Sequence, residues 1–180
     1  MNGAHSLEER PGFRPALTLL VFVALLLAAQ LVGCAQTSVQ HLKRQPWLLN
    51  KPQSLDAKFW RFSFDCLTQK GQLGVRGVAM PVASTIPDWA TRIDELWLAV
   101  YLNDANGRVL AKNLLVLLPR ELDRKNGVSF EFLLEPEDIG QSEHLFVTFG
   151  YRMVLSDGQP AQEGKTPRIF FANEGAVTKF

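Results

Sequence analysis

Cysteine and histidine are scarce: two and three, scattered at positions 34, 66, 5, 41 and 144 with no ligand spacing between them. A zinc site needs about three or four Cys or His ligands, so no metal site is expected and no cofactor is implied. A nucleophile needs an oriented base beside it. No G-x-S-x-G is present, and His41 and His144 have no local partner in sequence. His144, beside Glu143, reads as a surface residue at a strand edge, and the chain is not expected to be an enzyme. Charge imbalance is also missing, with 19 basic and 18 acidic residues for a net +1. That balance leaves no nucleic-acid footprint. Long blocks of like charge, internal repeats and low-complexity stretches are absent as well. Gly71–Gly77 (GQLGVRG) lacks the Lys-Ser/Thr and the following helix of a phosphate-binding loop.

One long apolar run is present. Ala16 to Val32 (ALTLLVFVALLLAAQLV) carries no charge, and Arg10 and Arg14 precede it. Such a run, at the short limit for crossing a bilayer, reads as a secretory leader. It ends in Leu31-Val32-Gly33-Cys34. This tetrapeptide resembles the lipobox of bacterial lipoproteins. The resemblance implies cleavage between Gly33 and Cys34 and a diacylglycerol on the Cys34 thiol. It further implies a membrane contact through that N-terminal lipid. In that family an aspartate after the cysteine favours the inner membrane. Ala35 stands there, so the implied address is the outer membrane, with the domain facing the periplasm.

The chain then divides into a helical leader (1–33), the lipidated cysteine and a polar tether (34–57), a folded domain (58–172) and a tail (173–180). If Cys34 carries lipid, Cys66 has no partner for a disulfide. It lies in an aromatic stretch and reads as a buried, inert thiol. The fold must then rest on its apolar core, and all but two of the twelve phenylalanines lie beyond residue 33. Within the tether, Trp47-Leu48-Leu49 breaks the polar pattern and reads as a clasp or edge strand packed on the domain.

From residue 58 the period is two. Strands are predicted at Phe59–Cys66, Leu73–Met80, Glu95–Asn103, Arg108–Leu118, Val128–Glu135, His144–Leu155 and Arg168–Ala172. Glu95–Asn103 (ELWLAVYLN) is apolar on both faces and is expected at the centre of a sheet. Asp104-Ala105-Asn106-Gly107 is a hairpin signal, since Asn-Gly accepts the positive φ of such turns. No acidic residue completes it as a calcium loop. Arg108–Leu118 is expected to break near Lys112-Asn113. Arg120, Arg124 and Lys125 alternate with Glu121 and Asp123 and read as a solvated loop. Both-face apolarity and the strand count argue against a membrane barrel.

Seven short strands in this length suit a single all-β, immunoglobulin-like β-sandwich. Val75–Pro119 is similar to small bacterial envelope sandwiches, with a G-x-V/A strand, an apolar strand and a D-x-x-G-x-V/L hairpin. The resemblance implies fold and says little about activity. The expected role is a protein-interaction or envelope-assembly module whose partner is another envelope protein. The alternative is a small-molecule or lipid carrier with an apolar cleft between its sheets. The longest loop, Pro81–Asp94, holds the candidate partner-binding residues Trp89 and Arg92, types enriched in binding hot spots.

Overall fold

The computed structural model describes residues 36–69, 71–136, 144–159 and 166–179. The leader, Gly33 and Cys34 lie outside them. The described chain is all β, with twelve strands. Five are short or lie near the chain's ends: β1 (Gln36–Ser38), β2 (Gln45–Pro46), β3 (Pro52–Asp56), β8 (Arg120–Glu121) and β12 (Val177–Lys179). The other seven are β4 (Trp60–Gln69), β5 (Gln72–Pro81), β6 (Arg92–Asn103), β7 (Val109–Leu117), β9 (Val128–Leu134), β10 (Phe146–Ser156) and β11 (Ile169–Glu174). These seven are the strands expected from the alternation, with shifted ends.

Two antiparallel sheets form. One has the order β3-β4-β5-β9; the other has β11-β10-β6-β7, with β2 added to β10 and β8 to β6. β1 and β12 make a separate ribbon. Alternation explains how the sheets meet. In β9, Val128, Phe130, Phe132 and Leu134 are buried, while Ser129 and Glu131 face out. In β4, Trp60, Phe62, Phe64 and Cys66 are buried against Arg61 and Ser63 outside. The inner faces join across the gap, where Phe62 of β4 stacks on Phe149 of β10 and the Trp60 indole N–H points at the Met153 sulfur. The arrangement is β-sandwich-like.

β5 lies close against β4. A Cβ at Gly77 would sit 2.1 Å from the Ser63 carbonyl oxygen and 2.8 Å from the Phe64 Cα, so glycine there marks a close backbone approach. β6 lies between β10 and β7, as its two apolar faces suggested. β7 runs unbroken through Lys112-Asn113; the irregularity falls instead between Leu102 and Asn103. The hairpin between β6 and β7 closes with Gly107 at φ 79° and with the Asp104 carboxylate accepting from the N–H groups of Asn106 and Arg108.

Two expectations are corrected. Residues 36–57 are no flexible tether: they contain β1, β2 and β3, and Val39, Leu42 and Leu55 are buried. Their backbone groups find partners on the domain, which replaces the entropy of a coil by strand pairing. Residues 173–179 are no frayed tail: β11 continues to Glu174, and β12 pairs Val177 with Ser38. The chain's two described ends therefore hold each other, and the His41 ring nitrogen Nε2 lies 3.0 Å from the Gly175 carbonyl.

Candidate interaction surfaces

The strand registers define two ends. Asn103 pairs with Phe146 at one end of the β6–β10 ladder, and Arg92 pairs with Ser156 at the other. The eleven residues of β10 separate these ends by about 33 Å at strand rise. β2, the Asp104–Gly107 turn and the start of the described chain lie at the Asn103 end. The loop carrying Trp89 lies at the Arg92 end.

That loop, residues 82–91, is pinned rather than open. The Val82 N–H donates to the Phe59 carbonyl, Thr91 N–H to Ser156 and Leu122 N–H to Thr91. The Arg124 guanidinium donates to the carbonyls of Pro87 (2.6 Å) and Ala90 (3.1 Å). Ile86 and Ala90 are buried, and Trp89 is half-buried against the core. No helical turn follows Asp88. Arg92 points its guanidinium at the Asp94 carboxylate, 3.1 Å away, with both side chains partly exposed. Trp89 and Arg92 thus differ: the first closes the sandwich end, and the second stands on its surface.

Beside this loop is an open cleft of about 720 Å³, lined by Asp88, Arg92, Glu121, Asp123, Arg124 and Asp157 among others. Its charges are mixed and several are engaged. Asp123 accepts from the Asn126 backbone and side chain and from the Lys125 N–H, which holds its carboxyl below the usual range. The solvated-loop reading of this stretch holds only in part: Arg120 and Glu121 form β8, and Arg124 is half-buried on the Pro87 and Ala90 carbonyls.

Exposed apolar side chains cluster on the outer face of the β11-β10-β6-β7 sheet, which the sequence reading missed. Trp97 pairs with Val116, and Ala99 with Leu114. Trp97 is 38% exposed, Leu114 50%, Val116 57% and Phe171 56%. The Arg152 guanidinium lies 5.4 Å from the Trp97 ring and 5.5 Å from the Phe171 ring, and it donates to Glu95 at 2.6 Å. It bridges the two rings by cation–π contact. The chain's own C-terminal segment covers the neighbouring part of this face. A Cβ on Gly150 would meet the Glu174 carbonyl at 2.8 Å, and the Ala176 N–H donates to the Tyr101 hydroxyl. The Tyr151 hydroxyl donates to Glu174 at 3.0 Å; burial, then the Glu174 charge, raise its pKa. The signal for this surface was in the sequence: both faces of β6 are apolar. It pointed to a central strand but could not say that the second face lacks a covering layer.

At the Asn103 end, Trp47 is half-buried and its N–H donates to the Leu145 carbonyl. Leu48 and Leu49 are 41% and 48% exposed. The clasp or edge-strand reading holds: Trp47 packs against the core and Leu49 bridges Cys66 of β4, while the side chains of both leucines stay partly exposed. Cys66 is buried and reduced; burial pushes its thiol up to about 11. Among the described residues no group of three or more His, Cys, Asp or Glu could hold a metal ion. No protein-family model, curated protein or solved structure matches the chain.

Proposed function

We propose that the chain is an outer-membrane lipoprotein, cleaved after Gly33 and anchored through lipid on Cys34. Its sandwich faces the periplasm and serves as a protein-interaction module for another envelope protein. The observation that carries the interaction reading is the exposed band of Trp97, Leu114, Val116 and Phe171. Apolar side chains exposed together on one sheet face, here around the Arg152–Glu95 pair, are the kind of surface that contacts another molecule. The aromatic fill between the sheets, with Phe62, Phe64, Phe130 and Phe149 in mutual contact, favours this role over a carrier with an open apolar cleft. We read the sandwich as immunoglobulin-like. The order β4-β5-β9 facing β11-β10-β6-β7, with the chain changing sheets after β5, β8 and β9, supports a Greek-key arrangement.

Crosslinking in intact envelopes tests the interaction. Leu114→Lys with Val116→Glu leaves the fold intact, since both side chains point into water, and removes partner crosslinks. Persistent crosslinks in that variant would reject this surface. Intact-mass analysis tests the anchor: a mature protein beginning at Cys34 with added acyl mass is expected, and Cys34→Ser abolishes it.

A further inference from the structure

The two sheets end in four edge strands, β3, β9, β7 and β11. Three of them carry a device that blunts the edge. Asn113 of β7 donates its amide to the Leu133 carbonyl of β9 and accepts the Leu114 N–H on its oxygen, which seals that flank. β3 opens on Pro52, and the Gln45 and Gln53 amides tie it to β2 through the carbonyls of Ser54 and Pro46. β11 has no such device. Ile169–Glu174 (IFFANE) holds no Pro, Lys or Arg, and its ladder to β10 runs through six pairs without a bulge. Pro167 and Arg168 lie before it. Among the described residues no strand pairs with its outer side. β2 joins the same flank of β10, but at Phe146 and Val147, clear of the stretch Tyr151–Ser156 that β11 occupies. Phe170 packs inward on Phe59, while Ile169 and Phe171 are 63% and 56% exposed. An unpaired row of N–H and C=O groups beside exposed apolar side chains is a template for another strand.

Charge at the two ends of β11 says which strand fits. Arg168 is exposed and has no ion pair among the described residues. Glu174, half-buried at the other end, has none either. Its Oε2 accepts from the Tyr151 hydroxyl and from the Lys58 N–H, and neither donor carries a charge. The Lys58 ammonium lies over the Phe59 ring instead, and the nearby Arg152 is engaged by Glu95. A cation and a carboxylate therefore stand at equal distances along the chain on either side of Phe171. Antiparallel pairing of β11 with a second β11 about Phe171 sets each Arg168 opposite the other copy's Glu174. It also keeps like faces together, because residues paired in this register differ by an even number of positions. Phe171 then meets its counterpart on the outer face. Parallel pairing in register would set like charges side by side.

We propose that β11 is the seam of a homodimer, in which a second copy of this chain adds its own β11 antiparallel about a two-fold axis at Phe171. Such a contact is isologous and closed, so it stops at two copies. The β11-β10-β6-β7 paths of the two copies become one continuous sheet. The Trp97, Arg152 and Phe171 cluster of each copy meets its mate beside the axis, and the exposed apolar side chains run on from one copy to the other. Aromatic pairs and opposite charges across neighbouring strands both favour this register. The seam depends neither on the lipid anchor nor on the envelope partner proposed above.

Sedimentation of the full chain in density-matched detergent reads the protein mass of the complex. The parent is expected as a dimer. Arg168→Glu sets like charges opposite each other at both ends of the seam, and Phe171→Lys does so at the axis. Both variants are expected as monomers that melt like the parent. A monomeric parent overturns the homodimer, and a dimer that persists in both variants overturns this seam. Leu114→Lys with Val116→Glu, at the far edge of the same face, should leave the dimer intact. A dimer lost there and kept in Phe171→Lys overturns edge pairing in favour of contact through the face. Disulfide trapping reads the register. Phe171→Cys should link two copies under mild oxidation, because directly opposed residues have Cα atoms about 4.5–5.5 Å apart. Ile169→Cys should not, because it opposes Asn173 and its own counterpart lies about 13 Å along the ladder. The parent, with Cys34 and the buried Cys66 unchanged, gives the baseline. Equal trapping at the two positions, or none at 171, overturns pairing about Phe171. Partner crosslinks in intact envelopes are a separate readout, so loss of the dimer and loss of the envelope partner are told apart.

Discussion

The Phe62 and Phe149 rings lie parallel, 4.3 Å between centroids and 6° between planes. One belongs to β4 and the other to β10, so this stack joins the two sheets at their centre. Phe64 and Phe130 close on the Phe149 ring from either side, at 5.0 and 5.5 Å. Phe62→Ala and Phe149→Ala should each cost about 3–5 kcal/mol, as large buried truncations do. The double variant should lose less than the sum, by about 0.5–1.5 kcal/mol of aromatic coupling. Urea unfolding of the four proteins measures this. Additive losses would mean that the rings pack independently.

Cys66 should stay reduced and resist a water-soluble maleimide at pH 8 without denaturant, because its side chain is buried. Burial raises the folded thiol from 9.0 to about 11. The unfolded thiol gives up its proton first as pH rises, so the folded state binds more protons between pH 9 and 11. Stability from this group is complete below pH 9 and is lost through that window. The parent should therefore lose more stability from pH 9 to 11 than Cys66→Ala does. An equal loss would assign the pH dependence to other groups.

Asn103 is fully buried, and its amide nitrogen donates to the Phe146 carbonyl (3.2 Å) and the Thr148 hydroxyl (3.1 Å), with a longer contact to Tyr101. Its oxygen has no partner among the described residues. Asn103→Leu removes the donor and leaves buried acceptors unpaired, which should cost about 2–4 kcal/mol. Asn103→Asp turns a carboxylate toward three oxygens. It should be more damaging at pH 8 than at pH 4, where a protonated carboxyl can donate. Melting curves at the two pH values check the sign of that difference.

Trp89→Ala should lower the melting temperature by several degrees, since a half-buried ring leaves the core's edge. A loss of about 1–3 kcal/mol is expected for a truncation of this kind. Arg92→Ala removes one exposed ion pair with Asp94 and should change stability by less than about 0.5 kcal/mol. Partner crosslinks that survive both changes would exclude this loop from the contact. Crosslinks lost in Trp89→Ala, with the melting temperature unchanged, would make Trp89 a contact residue and not a lid.

The sequence by itself determined the strands whose information is local. Val128–Leu134 alternates except at Leu133, and Asp104–Gly107 holds the residues its turn needs, so period and turn chemistry sufficed. The buried thiol of Cys66 was legible for the same reason, because it falls in register with Phe62 and Phe64. What lies over a strand is not local. Leu114 and Val116 are as apolar as Leu96 and Leu98, yet one pair faces water and the other is fully buried. Only the packing of the second sheet on one side, and of residues 174–176 over part of the other, separates them. The polar stretch 36–57 has no period to read. Its strands exist because β4, β10 and β12 offer backbone partners, which lie from 5 positions away (Asp56 with Arg61) to 143 (Gln36 with Lys179) along the chain. Trp89 is half-buried because the Arg124 guanidinium, far along the sequence, holds the carbonyls on either side of it. Pairings of that range cost loop entropy and are repaid only in the assembled sandwich. Hydrophobic pattern therefore decided the seven long strands, and the tertiary structure decided the short ones and which apolar faces stay exposed.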